Sequence, residues 1–163
     1  MKLGYVSLAG KGNTDQFLTE VVAGLEALGL PLAGTVQTNT PRPDRPKCDM
    51  DLRILPDGPI VRISEDRGGL ARGCMLDHAA LEQTVAAVAA RLDGAAMLIV
   101  NKFGKQEAGG RGLVVVIAEA LARGMPVLVG VNALNLADFN RFAGGLAEAL
   151  PADLDAVLHW CRS

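Results

Sequence analysis

Residues 3–28 read LGYVSLAGKGNTDQFLTEVVAGLEAL, which is an apolar run of strand length, a GKG turn and an amphipathic segment in that order. The apolar positions of residues 15–28 recur at helical spacing, and Asn13 with Gln16 predicts a capping box at the start of that helix. A buried strand that passes through a glycine turn into a helix is the unit of a parallel sheet covered by helices. The opening of the chain therefore predicts an α/β fold.

The same alternation of strand-length and helix-length segments continues along the chain. We predict further strands at 31–37, 51–55, 59–64, 95–101 and 126–131, and further helices at 78–92, 111–123, 137–150 and 153–161. The continuous apolar run 95–101 is typical of a strand at the sheet centre. The turn PDG at 56–58 predicts a β-hairpin, while three prolines predict an irregular loop at 38–47. The pattern predicts one three-layer α/β domain over 1–163, with a mostly parallel sheet of about five strands and a small β-hairpin insertion.

Composition and charge exclude several classes of partner. The chain has 163 residues with 16 basic and 18 acidic side chains, so the net charge is −2 and no broad basic surface for nucleic acid is expected. Charged residues interrupt every long apolar run, so we expect no membrane insertion. Three cysteines without CxxC spacing predict a cytoplasmic protein. Whether the chain forms a homo-oligomer stays open.

The first glycine turn has the composition of a phosphate-binding loop. Glycines let backbone N–H groups converge on an anion, and a helix N-terminus adds partial positive charge. Against the pattern G-x-x-x-x-G-K-[ST], Thr14 matches the Mg²⁺-binding hydroxyl, Asn13 replaces the lysine, and Lys11 supplies a positive charge from a displaced position. A strand-to-helix turn without a ligand stays an equal alternative. The candidate residues are Gly10, Lys11, Gly12, Asn13, Thr14 and Asp15.

A second polar turn follows the predicted central strand. A Walker B strand ends in an aspartate, often followed by a glutamate, and those positions hold Asn101 and Lys102 here. Neither residue is a carboxylate, so we expect little hydrolysis. We expect the cations of this turn and Lys11 to converge on one anion, with a solvated loop as the alternative. The candidate residues are Asn101, Lys102, Lys105, Glu107 and Arg111.

A third group of residues combines thiols, carboxylates and guanidinium groups. Its members are Cys48, Asp49, Asp51, Arg67, Arg72 and Cys74. Two arginines suit a tetrahedral oxyanion, and the spacing is not that of a structural zinc site. We treat these residues as a candidate second ligand cluster, more in keeping with an oxyanion than with a metal ion, and assign no metal site. Cysteines that are only buried apolar residues stay an alternative.

Several segments together resemble an uncharacterised bacterial family. They read CDMDL at 48–52, ISEDRG at 63–68, ARGC at 71–74 and LIVNKFGKQE at 98–107. Some members of that family are labelled nucleotide-binding or molybdenum-transporter ATP-binding proteins. The resemblance implies a P-loop NTPase-like fold, with a nucleotide and Mg²⁺ as the candidate cofactor.

The chain is more distantly similar to the small nucleoside-triphosphatase family, which carries D-E-x-G-K-x-E after its Walker B strand. Gly104, Lys105 and Glu107 match that signature. Asn101 and Lys102 depart from its acidic pair. The fold is therefore expected to be shared and the triphosphatase activity is not.

These observations predict a protein that binds a small anionic ligand, a nucleotide or phosphorylated metabolite, with little or no hydrolysis. No catalytic residue is assigned. Two alternatives stay open: a protein that binds an oxyanion of the molybdate type, and a scaffold that uses the same fold for interaction with other proteins.

Overall fold

The computed structural model describes residues 1–41, 43, 48–65 and 75–163, and of Cys48, Glu65 and Met75 it describes the backbone. The described strands are β1 Leu3–Val6, β2 Leu32–Pro41, β3 Cys48–Leu55, β4 Ile60–Arg62, β5 Ser64–Glu65, β6 Met75–Leu76, β7 Met97–Phe103, β8 Val127–Val131 and β9 Glu148–Ala149. The described α-helices are α1 Asn13–Ala27, α2 His78–Ala89, α3 Lys105–Ala108, α4 Val114–Ala122, α5 Leu136–Ala143 and α6 Leu154–Arg162.

The main sheet has the strand order β4-β3-β2-β7-β8-β1-β9. Strands β2, β7, β8, β1 and β9 pair in parallel, and β3 and β4 extend the sheet as an antiparallel pair. The mostly parallel α/β fold with a hairpin insertion is therefore confirmed, and β7 lies at its centre as predicted. The main sheet of the described residues has seven strands, which are five parallel strands and the two strands of the hairpin. Strands β5 and β6 pair separately.

Helices cover both faces of the sheet, so the three-layer prediction is confirmed. On one face, α1 and α6 pack against alternate residues of the central strands, among them Ile99 and Leu128. On the other face, α2 and α4 pack against the intervening residues, among them Leu98 and Val129. Because successive strand residues point to opposite faces, both halves of each apolar run are buried.

The structure corrects several predicted boundaries. Strand β2 continues to Pro41, because residues 34–41 pair with β3, so the predicted loop at 38–47 begins as strand. The predicted polar loop at 102–110 contains α3, and the helix predicted from Arg111 starts at Val114. The helix predicted at 137–150 ends at Ala143, since two glycines with left-handed φ follow it, and β9 then pairs with β1.

Two further features of the elements bear on the predictions. Asp77 precedes the predicted helix and caps α2, because its Oδ1 accepts the Ala80 N–H at 3.1 Å. No helix within the described ranges has the length and hydropathy needed to cross a bilayer.

Candidate functional site

A cavity of about 630 Å³ opens at the carboxyl edge of the parallel strands, beside the start of α1. It is lined by residues 10–15 and by the ends of β2, β7 and β8. In an open α/β sheet this edge is the usual place for a ligand, because the turns there lead into helix N-termini. We call it the first cavity.

The loop before α1 owes its shape to two glycines. Gly10 and Gly12 have φ of +94° and +79°, in the left-handed region that other residues rarely adopt. The Asn13 amide donates across the loop to the Ala9 carbonyl oxygen at 2.7 Å, and a Cβ on Gly10 would collide with that amide. Asn13 therefore braces the loop from the position that a lysine holds in the Walker pattern.

The predicted capping box of Asn13 and Gln16 is wrong. Gly12 is the N-cap of α1, and no side chain among the described residues caps the helix. The Asn13 N–H donates to the Gly10 carbonyl oxygen at 3.5 Å, so the next N–H groups of the first turn, those of Thr14 and Asp15, are the ones available to an anion. The Thr14 hydroxyl does not cap the helix either, because its Oγ1 accepts the N–H of Leu8 at 3.0 Å and so ties the loop to α1.

Asp15 is held by two amides from neighbouring strands. Its Oδ1 accepts from Asn101 Nδ2 and its Oδ2 accepts from Asn39 Nδ2, both at 2.6 Å. Asn101 is 2% exposed, and its Oδ1 accepts the backbone N–H of Gln37 at 2.9 Å. This network connects α1, β7 and β2 at the floor of the first cavity.

Sequence reasoning missed Gln37 and Asn39 as site residues. Both line the first cavity, and the Gln37 amide donates to Asn39 Oδ1 at 2.8 Å. Gln37 is the last residue of the strand that we predicted, and Asn39 lies in the part of β2 that the prolines led us to predict as loop. The available signal was the polar pattern QTN directly after the apolar run.

Two of the four predicted cations share the first cavity. Lys11 and Lys102 line it, both are exposed, and neither forms an ion pair with another part of the chain that the structure describes. Lys105 lines a second cavity, and Arg111 lines neither of the two. Strand β8 separates β1 from β7, and α3 redirects the chain after β7. The structure therefore does not bring all four cations to one point.

Glu107 is a structural residue of the turn after β7. It is 6% exposed, and its two carboxylate oxygens accept the N–H groups of Gly104 at 2.8 Å and Leu113 at 2.9 Å. A Cβ on Gly112 would collide with the same carboxylate. Glu107 thus holds α3 against the start of α4.

The third predicted group is described only in part. Asp49 and Asp51 pair with Arg62 of β4, Asp51 by a 2.6 Å contact to its Nε. Arg67, Arg72 and Cys74 lie outside the described residues, as does the side chain of Cys48. The described part of this group is thus a cross-strand ion-pair cluster, and within the described ranges no three His, Cys, Asp or Glu side chains gather as metal ligands.

The sheet order and the glycine loop define the class: an α/β protein with the fold of the P-loop nucleoside triphosphatases. The crystal structure of THEP1 from the hyperthermophile Aquifex aeolicus matches with a TM-score of 0.66 at 16% identity, over 98% of this chain and 95% of that one. The solution structure of a human cancer-related nucleoside triphosphatase matches with a TM-score of 0.60 at 14% identity, over 99% and 94%. At these identities the likeness shows the fold.

Within that class the chain belongs to the DUF2478 family of proteins of unknown function, whose model matches residues 3–160. A curated relative is the molybdenum import ATP-binding protein ModC 2 of Bradyrhizobium diazoefficiens, which is 32% identical over 149 residues. The match covers 91% of this chain and 17% of that relative. The chain therefore corresponds to a small part of the relative's length.

The fold implies a nucleotide with Mg²⁺. The residues of the first cavity suit the phosphate of such a nucleotide but not the metal ion. The uncapped helix end and two unpaired lysines suit phosphate. The usual Mg²⁺ ligands are a loop hydroxyl and a strand-end carboxylate, whereas here Thr14 Oγ1 is bonded to the loop and the strand end is Asn101. The donor set fits a phosphate and does not fit that metal arrangement.

Proposed function

We propose that the protein binds the phosphate group of a nucleotide or phosphorylated metabolite in the first cavity, with little or no hydrolysis. The observation that carries the proposal is the uncapped N-terminus of α1, which opens into that cavity beside Lys11 and Lys102. Backbone N–H groups, the helix dipole and two cations all favour a bound anion.

Slow turnover is part of the proposal. Phosphoryl transfer to water in this fold uses a strand-end acid to hold the metal and a neighbouring acid to position water. Asn101 and Lys102 occupy those positions, and Asp15, the one acid among the described residues that line the first cavity, already accepts two amide hydrogen bonds. A protein that binds a small anion as its partner fits these features better than a hydrolase does.

Isothermal calorimetry with ATP, ADP, GTP, GDP and inorganic phosphate tests the proposal. We expect at least one to bind, and Lys11→Gln to weaken its affinity roughly tenfold, because a charge-assisted contact to phosphate is lost. Lys105→Gln is the matched control, since Lys105 lines the second cavity instead. Absence of binding by all five ligands, or equal losses in both variants, would contradict the proposal and favour the scaffold alternative.

A free oxyanion of the molybdate type is the second candidate ligand. The 32% identical relative, named a molybdenum import ATP-binding protein, favours it. A tetrahedral oxyanion would use the same uncapped helix end as a phosphate group. Binding of molybdate with no binding of the nucleotides or phosphate, weakened by Lys11→Gln, would decide for this candidate.

A further inference from the structure

A second cavity of about 460 Å³ lies beside the first, between the sheet and the α2 side of the fold. Its walls are mainly apolar and buried, with Leu52, Leu81 and Leu113 among them. Cavities of a few hundred Å³ with apolar walls and few polar groups are typical of small-molecule sites. Asn101 and Lys102 line both cavities, so the two sites adjoin.

A buried hydroxyl without a partner lines this cavity. Thr35 is fully buried, and its Oγ1 makes no hydrogen bond within the described part of the chain. Thr84 of α2 is also buried but differs, since its hydroxyl donates to the Ala80 carbonyl oxygen at 3.0 Å. An unsatisfied buried hydroxyl destabilises the fold, and valine would occupy the same volume without that cost. The Thr35 hydroxyl therefore points to a partner supplied by a ligand.

Two lysines are among the described residues that line the cavity. Lys102 and Lys105 are both exposed, and His78 at the start of α2 lines the cavity as well. Glu107 also lines it, but both of its oxygens already accept backbone N–H groups. A ligand that enters thus meets free cations and an apolar interior with one unsatisfied hydroxyl.

We propose that the second cavity binds a small molecule with an apolar body, a hydrogen-bonding group that pairs with Thr35, and an anionic group that faces Lys105. The anionic group is a carboxylate or a phosphate monoester. This site is additional to the phosphate site of the first cavity. The two cavities together would therefore hold two small molecules side by side.

Titration of the ¹⁵N-labelled full chain with benzoate, phenylacetate and phenyl phosphate tests this, with amide shifts as the readout. We expect saturable shifts at Thr35, Leu81 and Leu113 for at least one probe. Binding of benzoate or phenylacetate would identify the anionic group as a carboxylate, and binding of phenyl phosphate would identify it as a phosphate. Thr35→Val should weaken that probe roughly three- to tenfold, the effect of one hydrogen bond. Lys105→Gln should weaken it as well, while Thr84→Val and Lys11→Gln should not.

The stability of the variants separates a binding role from a packing role. Without ligand, Thr35→Val should leave the melting temperature unchanged or raise it, whereas Thr84→Val should lower it. The proposal is wrong if no probe gives saturable shifts at the three amides. It is also wrong if Thr35→Val binds the probe as the wild type does.

Discussion

Asn101 at the end of the central strand donates its amide to the carboxylate of Asp15 in the first turn of α1, across 2.6 Å. In hydrolytic members of this fold class the strand end supplies the acid. Here the strand supplies an amide and the helix supplies the acid, and Asn39 occupies the second oxygen of that acid. The carboxylate therefore joins three elements of the fold instead of standing free for a metal ion.

The first prediction concerns this pair. Asn101→Asp places two carboxylates within hydrogen-bond distance at a buried position, so we expect the free energy of unfolding to fall by about 3 kcal/mol at pH 7. The double variant Asp15→Asn with Asn101→Asp restores one acid and one amide, and should recover more than half of that loss. Urea titration measures both. A double variant no more stable than the single one would show that the pair does not carry the stability.

The second prediction concerns Glu107. Glu107→Ala leaves the buried N–H groups of Gly104 and Leu113 without an acceptor, so we expect a loss of about 3 kcal/mol in urea denaturation. Glu119→Ala is the matched control, because that exposed carboxylate only pairs with Arg123 and should cost less than about 1 kcal/mol. Similar losses in the two variants would contradict the structural role.

The fold was largely predictable because its strongest signals are local. Two such signals are the apolar run of β7 and the strand, turn and helix of residues 3–27. Each is continuous in sequence, and the structure has the strands and the helix that their hydrophobic patterns predict. Strand β9 was not predictable, since two residues form a strand only by pairing with β1. The extension of β2 to Pro41 likewise depends on β3, a partner that local propensity does not reveal.

The parts of the candidate site that lie within a single turn of the chain were predictable from the sequence. The loop at 10–15 and the pair Asn101 and Lys102 do meet at the first cavity. Lys105 and Arg111 do not join them, because α3 turns the chain after β7, and spacing in sequence does not specify the direction of such a turn. The hydrogen bond from Asn39 to Asp15 could not be predicted either, since it joins residues that are far apart in sequence.

The third prediction compares two glycines. Gly34 has φ +118° in β2, and a Cβ there would coincide with the Ile99 carbonyl oxygen, so Gly34→Ala should destabilise the protein by about 3 kcal/mol or more. Gly94 has φ +84° with no atom near its Cβ position, so Gly94→Ala should cost only about 1 kcal/mol, from backbone strain alone. Melting curves of both variants test this. Equal losses would mean that the approach of β2 to β7 is looser than the structure shows.

The fourth prediction concerns pH. Burial raises the pKa of the Cys161 thiol from 9.0 to about 11, although the charge of Lys2 acts in the opposite direction. Between pH 9 and pH 11 the folded thiol keeps a proton that the unfolded thiol has lost, so this contribution to stability falls as pH rises. The slope of unfolding free energy against pH in that window should be shallower for Cys161→Ser than for the wild type. Parallel slopes would contradict a buried, protonated thiol.

The fifth prediction separates direct anion binding from binding through a metal. If phosphate meets the helix end and lysines directly, the Asp15 charge opposes it, and Asp15→Asn should bind ADP more tightly by roughly three- to tenfold, about 1 kcal/mol of relieved repulsion. The gain should be the same with Mg²⁺ and with EDTA, because no metal mediates the contact. Calorimetry in the two buffers measures it, and thermal melting verifies that the variant is folded. Weaker ADP binding by Asp15→Asn in Mg²⁺ alone would assign Asp15 as a metal ligand and overturn the direct mode.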